Sequence, residues 1–410
     1  MSATDNKVFV GMEIGTSRVC VAVGVEKNGE MEVRGASNEP SAGMRNGVVV
    51  SLDKAVECVV EAIDAVRVMS GIDVNRVHIA ISGEHIHGEN SRGVIGVSSA
   101  SGEIEREHVQ RVISKATPSG LPPEYEILHV FPQEYRVDSQ GGIDDPIGMI
   151  GTRLELDAHI VRGARNTIAN VIKCAQKAGL KVEGKVLTQM ADAQAVLRTD
   201  EMKNGVVLIN IGETMTTLGV FDRGSLWHTK VFPVGGGHFT KDLAYVLNIP
   251  TSDAELVKKR NGCVLSSFID EDEMIEISLS GGGAPHLIPH QLIVDTFKPR
   301  AEQLFHDIQT EIRQAGYDRN MEAGFVLTGG GSLLTGMVEL AETQFKKPTR
   351  VGKPIGIKGL TDMVSSPVYS TAIGVLKYAW TVDSQAGEMH QKGVRRWLDS
   401  LKKMFFQGYV

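Results

Sequence analysis

The sequence predicts an α/β protein of two similar lobes facing each other across a cleft. A small α+β subdomain interrupts the first lobe, and an amphipathic helix ends the chain. Three observations carry this. At Val206 to Asp222, VVLINIGETMTTLGVFD, an apolar strand runs into Gly212, turns through short polar residues and leaves on a second apolar strand. Such a glycine- and hydroxyl-bearing turn offers backbone N–H groups and short donors to an anion such as phosphate. The same order recurs at Val8 to Gly24, VFVGMEIGTSRVCVAVG, where Glu13, Ile14, Gly15 and Ser17 align with Asn210, Ile211, Gly212 and Thr214. Two copies so far apart imply two halves, each giving one phosphate loop to a shared cleft. Finally, 410 residues exceed what a single hydrophobic core organises.

Composition narrows the function classes. The apolar and charged fractions, 42% and 23%, are those of an ordinary globular protein. No apolar run reaches the roughly 20 residues that span a bilayer. The opening MSATDNK has no basic and apolar leader, so export is not expected. Cys20, Cys58, Cys174 and Cys263 are scattered without a C-x-x-C pair and read as reduced, buried thiols of a cytoplasm. A formal charge of −7 argues against general nucleic-acid binding. It is uneven, however: from Lys392 onward the chain carries +4, leaving −11 for the rest.

In chain order, the first loop candidate is followed by a hairpin turn at Asn28-Gly29. Ser51 then precedes a helical pattern in which Leu52, Ala55, Val56, Val59, Val60, Ile63 and Val66 recur at three and four. Arg76 to Gly83 reads as a strand, completing an α/β layer. From Glu84 the texture changes to short alternating strands, one polar helix near Glu105 to Lys115, and turns rich in proline and glycine. This is the inserted subdomain. His78, His85 and His87 read as exposed strand-end histidines, since no carboxylate or cysteine pattern of a metal site accompanies them. Asn166 to Gly179 is an amphipathic helix stopped by Gly179. The small-residue stretch Met190 to Leu197 allows close packing on another helix, for which Ser370 to Ala379, with Gly374, is the mate. That crossing is expected to be the hinge between lobes.

In the second lobe, Gly235-Gly236-Gly237 opens a helix and reads either as an anion site or as a plain tight turn. Ser252 to Arg260 is a capped helix carrying Glu255 and Lys258. Phe268 to Ile288 reads as an exposed loop or hairpin, followed by a long helix from about Gln291 to Gln314. Gly329-Gly330-Gly331-Ser332 follows a strand, and three glycines let backbone approach a flat or anionic ligand.

Thr381 to Lys392 lacks periodicity and reads as a tether. Beyond it, Val394, Trp397, Leu398, Leu401, Met404 and Phe405 fall within about 120° of helical arc. Arg395, Arg396, Lys402 and Lys403 lie opposite, with Phe406 among them. This pattern fits a helix lying in a membrane interface. A helix docking on its own body or on a partner subunit is the alternative. The tether and the charge reversal favour the membrane.

With these residues in view, the chain resembles the FtsA family over nearly its whole length. These are bacterial actin homologues that tie the cell-division ring to the membrane. The resemblance rests on MEIGTSRV, SGEHIHGENSRGVI, LHVFPQEYRVD, the strand pair around Asn210, DAELVKKRNGC, FVLTGGG, GLTD at 359–362, YSTAIGVLKYA and the terminal helix. It implies a two-lobed actin-like fold with first-lobe core 1–83 and 163–202 around the insert 84–162. The second lobe would comprise core 203–235, outer subdomain 236–310 and core 311–360. A return helix 361–380, a flexible linker 381–392 and a membrane-targeting helix 393–410 complete the division.

The resemblance also implies roles. Gly15, Thr16, Ser17 and Arg18 form the first phosphate loop, and Gly212, Glu213, Thr214, Met215 and Thr216 the second. Gly236 and Gly237 lie near ribose and phosphates, Glu255 and Lys258 near ribose and base, and Gly329 to Ser332 beside adenosine, the ligands being ATP and Mg2+. Arg300, in FKPRAEQL, matches an arginine that in the family helps bind the C-terminal tail of FtsZ. Further copies forming filaments, later division proteins and anionic lipid are the other implied partners, at the cytoplasmic face of the inner membrane at the septum. One departure matters. The family's second loop usually reads Asp-Ile-Gly-Gly-Gly-Thr, whereas here it is Asn210-Ile211-Gly212-Glu213-Thr214-Met215. A carboxylate has become an amide, and Glu213 sets a negative group against phosphates. An efficient enzyme is therefore not expected; at most a weak ATPase is. The rivals are an actin-fold kinase or chaperone ATPase, disfavoured by that loop, and a PilM-like pilus or secretion scaffold, disfavoured by Arg300 and the terminal helix.

Overall fold

In the first lobe, β1 (Val8–Ile14), β2 (Arg18–Lys27) and β3 (Glu30–Pro40) form an antiparallel meander. The computed structural model describes residues 7–391 except 28, 99–100, 279, 281–284 and 319–320. β2 is covered on both faces from Val19 to Val25, which is why its sequence is continuously apolar rather than alternating. Two short strands, β4 (Met44–Arg45) and β5 (Val48–Val49), lead into α1 (Leu52–Ser70). Ala55, Val59, Ala62, Ile63 and Val66 of α1 are buried at the predicted helical spacing. Ser51 stands at the N-cap position but its hydroxyl makes no capping bond. β6 (Arg76–Ile81) lies parallel beside β1.

The insert follows: β7 (His87–Gly96), α2 (Arg106–Ala116), β8 (Tyr125–Val137), β9 (Gln140–Ile143) and β10 (Arg153–Ala164). Its strands make one antiparallel sheet in the order β7-β10-β8-β9. A core including Ile104, Val112, Ile113, Leu154 and Ile160 is distinct from the cores of the two lobes. The first lobe then resumes with α3 (Arg165–Lys177), β11 (Lys181–Leu187), α4 (Thr188–Val196) and α5 (Thr199–Asn204).

The second lobe repeats the plan. β12 (Val206–Ile211), β13 (Thr216–Asp222) and β14 (Ser225–Phe232) form the meander. After it come α6 (Gly236–Leu247), α7 (Thr251–Asn261), a hairpin of β15 (Met274–Ile277) and β16 (His286–Pro289), and the long α8 (His290–Gln314). α7 starts one residue before the expected Ser252, with Pro250 at its cap position. β17 (Gly324–Thr328), α9 (Met337–Phe345) and β18 (Thr349–Val351) complete the lobe. The chain returns through β19 (Lys358–Gly359), beside β3, and α10 (Thr361–Val364) to α11 (Ser370–Gln391). Sheet order β3-β2-β1-β6-β11 in one lobe matches β14-β13-β12-β17-β18 in the other. Parallel and antiparallel neighbours correspond throughout.

The predicted crossing of small-residue helices is present. A Cβ on Gly374 of α11 would fall on the carbonyl oxygen of Ala191 in α4, and one on Gly11 of β1 would fall on the backbone of α11. The insert also reaches the second lobe. Gln133 Nε2 donates to the Trp227 carbonyl at 3.0 Å, Ser225 Oγ donates to the Pro132 carbonyl at 2.7 Å, and His159 Nε2 meets Thr229 Oγ1 at 3.0 Å.

The expected tether at Thr381 is instead a continuation of α11 to Gln391. The stretch has no proline, and Ser370 to Ala379 packs firmly enough to nucleate the helix, after which each added residue needs only one more bond. Lys7 also pairs with Asp383 at 2.6 Å. The residues expected to bind the membrane, Val394 to Phe405, lie outside the described residues. Among the described residues no helix is long and apolar enough to cross a membrane.

Candidate functional site in the interlobe cleft

The two turns predicted from their sequence echo close in the same way. In the first, Ile14 pairs with Val19 and Gly15 N–H donates to the Arg18 carbonyl at 2.9 Å. In the second, Ile211 pairs with Thr216 and Gly212 N–H donates to the Met215 carbonyl, also at 2.9 Å. Their tips meet: Thr16 Oγ1 and Thr214 Oγ1 are 3.2 Å apart. Among the described residues the N–H groups of Thr16, Ser17, Glu213 and Thr214 find no acceptor, so both loops present donors where they converge. They border a cavity of about 780 Å³.

Gly15 to Arg18, Gly212 to Met215, Gly236, Gly237, Glu255, Lys258 and Gly329 to Gly331 all line this cavity. Two expected residues stand behind its wall. Thr216 points away, its Oγ1 donating to the Val234 carbonyl at 2.7 Å, and Ser332 Oγ closes its own turn on the Gly329 carbonyl at 2.7 Å. Strand pleat sends Thr216 to one face and Thr217 to the other, and Thr217 is the one in the cavity. Arg300 lies outside the cavity. It holds Asp242 of α6 through two bonds, Nε at 2.7 Å and a terminal nitrogen at 2.9 Å, which raises its pKa further.

The glycines at the start of α6 do not offer an open anion site. Gly236 N–H donates to the Gly212 carbonyl at 2.8 Å and Gly237 N–H to the Glu213 carbonyl at 2.7 Å, so both donors are spent tying the helix to the second loop. The Glu213 carboxylate packs directly on Gly237, a favourable place for negative charge at a helix N-terminus. Beside it Lys258 is buried, its Nζ donating to the Gly236 carbonyl at 3.0 Å and pairing with Glu255 at 2.6 Å. Burial pushes the Glu255 carboxyl up, but hydrogen bonds from Lys258, Thr240 and Lys259 outweigh it and hold the group below its usual range.

The floor carries groups that the sequence reading did not assign. Glu13 is the penultimate residue of β1, as Asn210 is of β12, and it lines the cavity. Beneath it Asp192 of α4 is fully buried; its carboxylate accepts from Asn210 Nδ2 at 2.7 Å and Thr371 Oγ1 at 2.8 Å. Burial, then the Asp192 charge, pushes the Glu13 carboxyl up to about 8, against a hydrogen bond with Thr371. Burial likewise takes Asp192 to about 7, partly offset by Asn210 and Thr371. No ion pair to Glu13 or Asp192 exists among the described residues. Asp192 had a sequence signal, a lone acid within an alanine-rich helix, and Glu13 had one in the loop echo.

Free carboxyls ionise near about pH 4, so between there and pH 7–8 the unfolded chain has released protons that the folded chain keeps. Stability therefore falls as pH rises through that window, by about 1.4 kcal/mol per unit for each retained proton. Glu13→Gln should flatten the decline by about one proton. Urea midpoints from pH 5 to 8 read this; parallel slopes for both proteins would contradict it.

Donor-rich loops over a carboxylate fit a phosphate chain with a divalent cation, since hard cations prefer oxygen ligands and Mg2+ keeps waters and shares phosphate oxygens. Among the described residues no group of three or more His, Cys, Asp or Glu is placed to hold a metal ion. Glu13 and Asn210, which both line the cavity, would be the residues to assist such a cation.

The comparisons agree with this architecture. A family model described as Cell division protein FtsA matches residues 207–374, and one described as SHS2 domain inserted in FTSA matches 83–162. The Cell division protein FtsA of Pseudomonas aeruginosa is 37% identical over 393 residues, covering 96% of this chain and 94% of that protein. That of Escherichia coli K12 is 36% identical over 386 residues, covering 92% and 91%. The chain belongs to the FtsA family of cell-division proteins. Its actin-like fold is shared with the solved PilM–PilN type IV pilus biogenesis complex, TM-score 0.66 at 15% identity, covering 90% of this chain and 97% of that one. It is shared too with MreB5 of Spiroplasma citri bound to ADP, TM-score 0.58 at 15% identity, covering 94% and 99%. Identities this low carry the fold alone. The FtsA relatives carry the family.

Proposed function

We propose that the chain is the membrane adaptor of the division ring. It polymerises on the inner face of the cytoplasmic membrane, holds the C-terminal tail of FtsZ and helps recruit later division proteins to the septum. The observation that carries this is the basic, amphipathic terminal stretch on a chain of the FtsA family. Five cations and one acid follow Gln391, and each cation near an anionic leaflet adds about 1 kcal/mol. One such helix binds reversibly, so filaments that present many tails together supply lasting attachment. Arg300, oriented by Asp242 and still a third exposed, is the anchor for the FtsZ tail. The test is whether anionic vesicles pellet FtsZ only when the intact protein is present.

Nucleotide serves here as a structural or regulatory ligand rather than a substrate turned over quickly. ATP with Mg2+ occupies the cleft, phosphates between the loop tips and adenosine toward Glu255, Lys258 and Gly329 to Gly331. Glu213 weakens that binding, because its carboxylate already occupies the positive end of α6 and repels a phosphate chain nearby. Glu213→Gly is therefore expected to tighten Mg·ATP binding about tenfold, or about 1.4 kcal/mol. Isothermal titration of both proteins decides it, and an unchanged or weaker constant would remove Glu213 from the account.

A further inference from the structure

We propose that Asp192 is the positioning residue of the second phosphate loop, supplying from helix α4 the carboxylate that the first lobe carries on its own loop as Glu13. The internal duplication makes the comparison within one molecule. Glu13 and Asn210 occupy equivalent positions, one residue before the Ile-Gly of their loops, and each lines the cavity. One is an acid and the other an amide. The missing carboxylate has not left the site: it faces Asn210 from α4, with Asp192 Oδ2 at 2.7 Å from Asn210 Nδ2.

That contact fixes which way the amide points. Its nitrogen is held by Asp192, with Thr371 Oγ1 a longer 3.3 Å away, while its oxygen lies against Gly329. Gly329 has φ 79° and no room for a Cβ beside that oxygen. An aspartate at 210 would set two buried carboxylates 2.7 Å apart, so the amide and the acid below it are a matched donor and acceptor. Thr371 Oγ1 donates to the other oxygen of Asp192 at 2.8 Å. The acid therefore holds one cavity-lining side chain from each lobe: Asn210 from the second and Thr371, at the start of α11, from the first. Asp192 itself is fully buried and absent from the cavity wall. It acts on a ligand only through these two residues.

The proposal rests on the nucleotide reading, and an exchange of residues tests it. Mg·ATP and Mg-free ATP affinities are measured by calorimetry, with thermal unfolding alongside, for the intact chain, Asp192→Asn, Asn210→Asp and the double exchange. Each single change is expected to weaken Mg·ATP binding at least tenfold while altering Mg-free binding less. The double exchange, which restores one donor and one acceptor with their positions swapped, is expected to recover most of the affinity. If Asp192→Asn lowers the melting temperature but leaves Mg·ATP affinity and its Mg2+ dependence intact, Asp192 is a structural residue only and the proposal fails. It fails equally if the double exchange is no better than the weaker single variant. Absence of Mg·ATP binding by the intact chain overturns the nucleotide reading itself, and this proposal with it.

Discussion

Gly374→Ala is expected to destabilise the protein by about 3 kcal/mol or more, beyond the usual range for one extra methyl in a packed core. The new Cβ would lie on the carbonyl oxygen of Ala191 and within 3.0 Å of that residue's Cα. Both obstacles are backbone, so no side-chain rotation relieves them, and α4 and α11 must part. These helices carry much of the shared core, including Met190, Ala193, Val196, Ile373, Val375 and Leu376, so separating them exposes apolar surface as well. With total stabilities of about 5–15 kcal/mol, such a loss leaves much of the protein unfolded when warmed. Gly120→Ala is the control, because a Cβ there meets nothing within 4 Å. Urea titration of the three proteins should show the Gly120 variant unchanged and the Gly374 midpoint strongly lowered. Equal midpoints would mean that the helices do not cross as described.

The second large effect concerns the terminal residues 393–410. Stopping the chain after Lys392 is expected to abolish binding to anionic vesicles. It removes Trp397, Phe405 and the other apolar residues that would enter the interface, with four of the five terminal cations. The loss should scale with salt, since exposed charges are screened over about 8–10 Å at physiological ionic strength. Folding should be unaffected, because Gly374 and the core at the α4–α11 crossing lie well before the cut.

Much of this was legible in sequence, for a physical reason. The phosphate loops are local objects: an apolar strand, a glycine that admits a tight turn, short hydroxyls and a returning strand, all within a few consecutive residues. Their duplication made the two lobes readable. Helix α1, the inserted subdomain and the alanine-rich crossing were equally visible through periodicity and residue size. What stayed hidden depended on distant partners. Asp192 looked like one acid among alanines until β12 and α11 brought Asn210 and Thr371 to it. The start of α6, legible only as either an anion site or a tight turn, is closed by carbonyls from Gly212 and Glu213, a pairing that only the folded lobe creates. Thr216 and Ser332 had suitable hydroxyls, but strand pleat and a short helical turn faced them inward. Thr381 to Gln391 carries no strong helical signal of its own, whereas the packed start of α11 propagates a helix through it.

The central claim is that this chain links FtsZ to the membrane, and one measurement addresses it directly. Purified FtsZ is sedimented with anionic liposomes in the presence of either the intact chain or the chain ending at Lys392. The account predicts that FtsZ pellets with the intact chain and stays in the supernatant with the shortened one. If the intact chain binds lipid yet leaves FtsZ behind, the membrane role stands and the FtsZ link is contradicted. If the intact chain does not bind lipid, the terminal helix is a docking element and the adaptor account is contradicted.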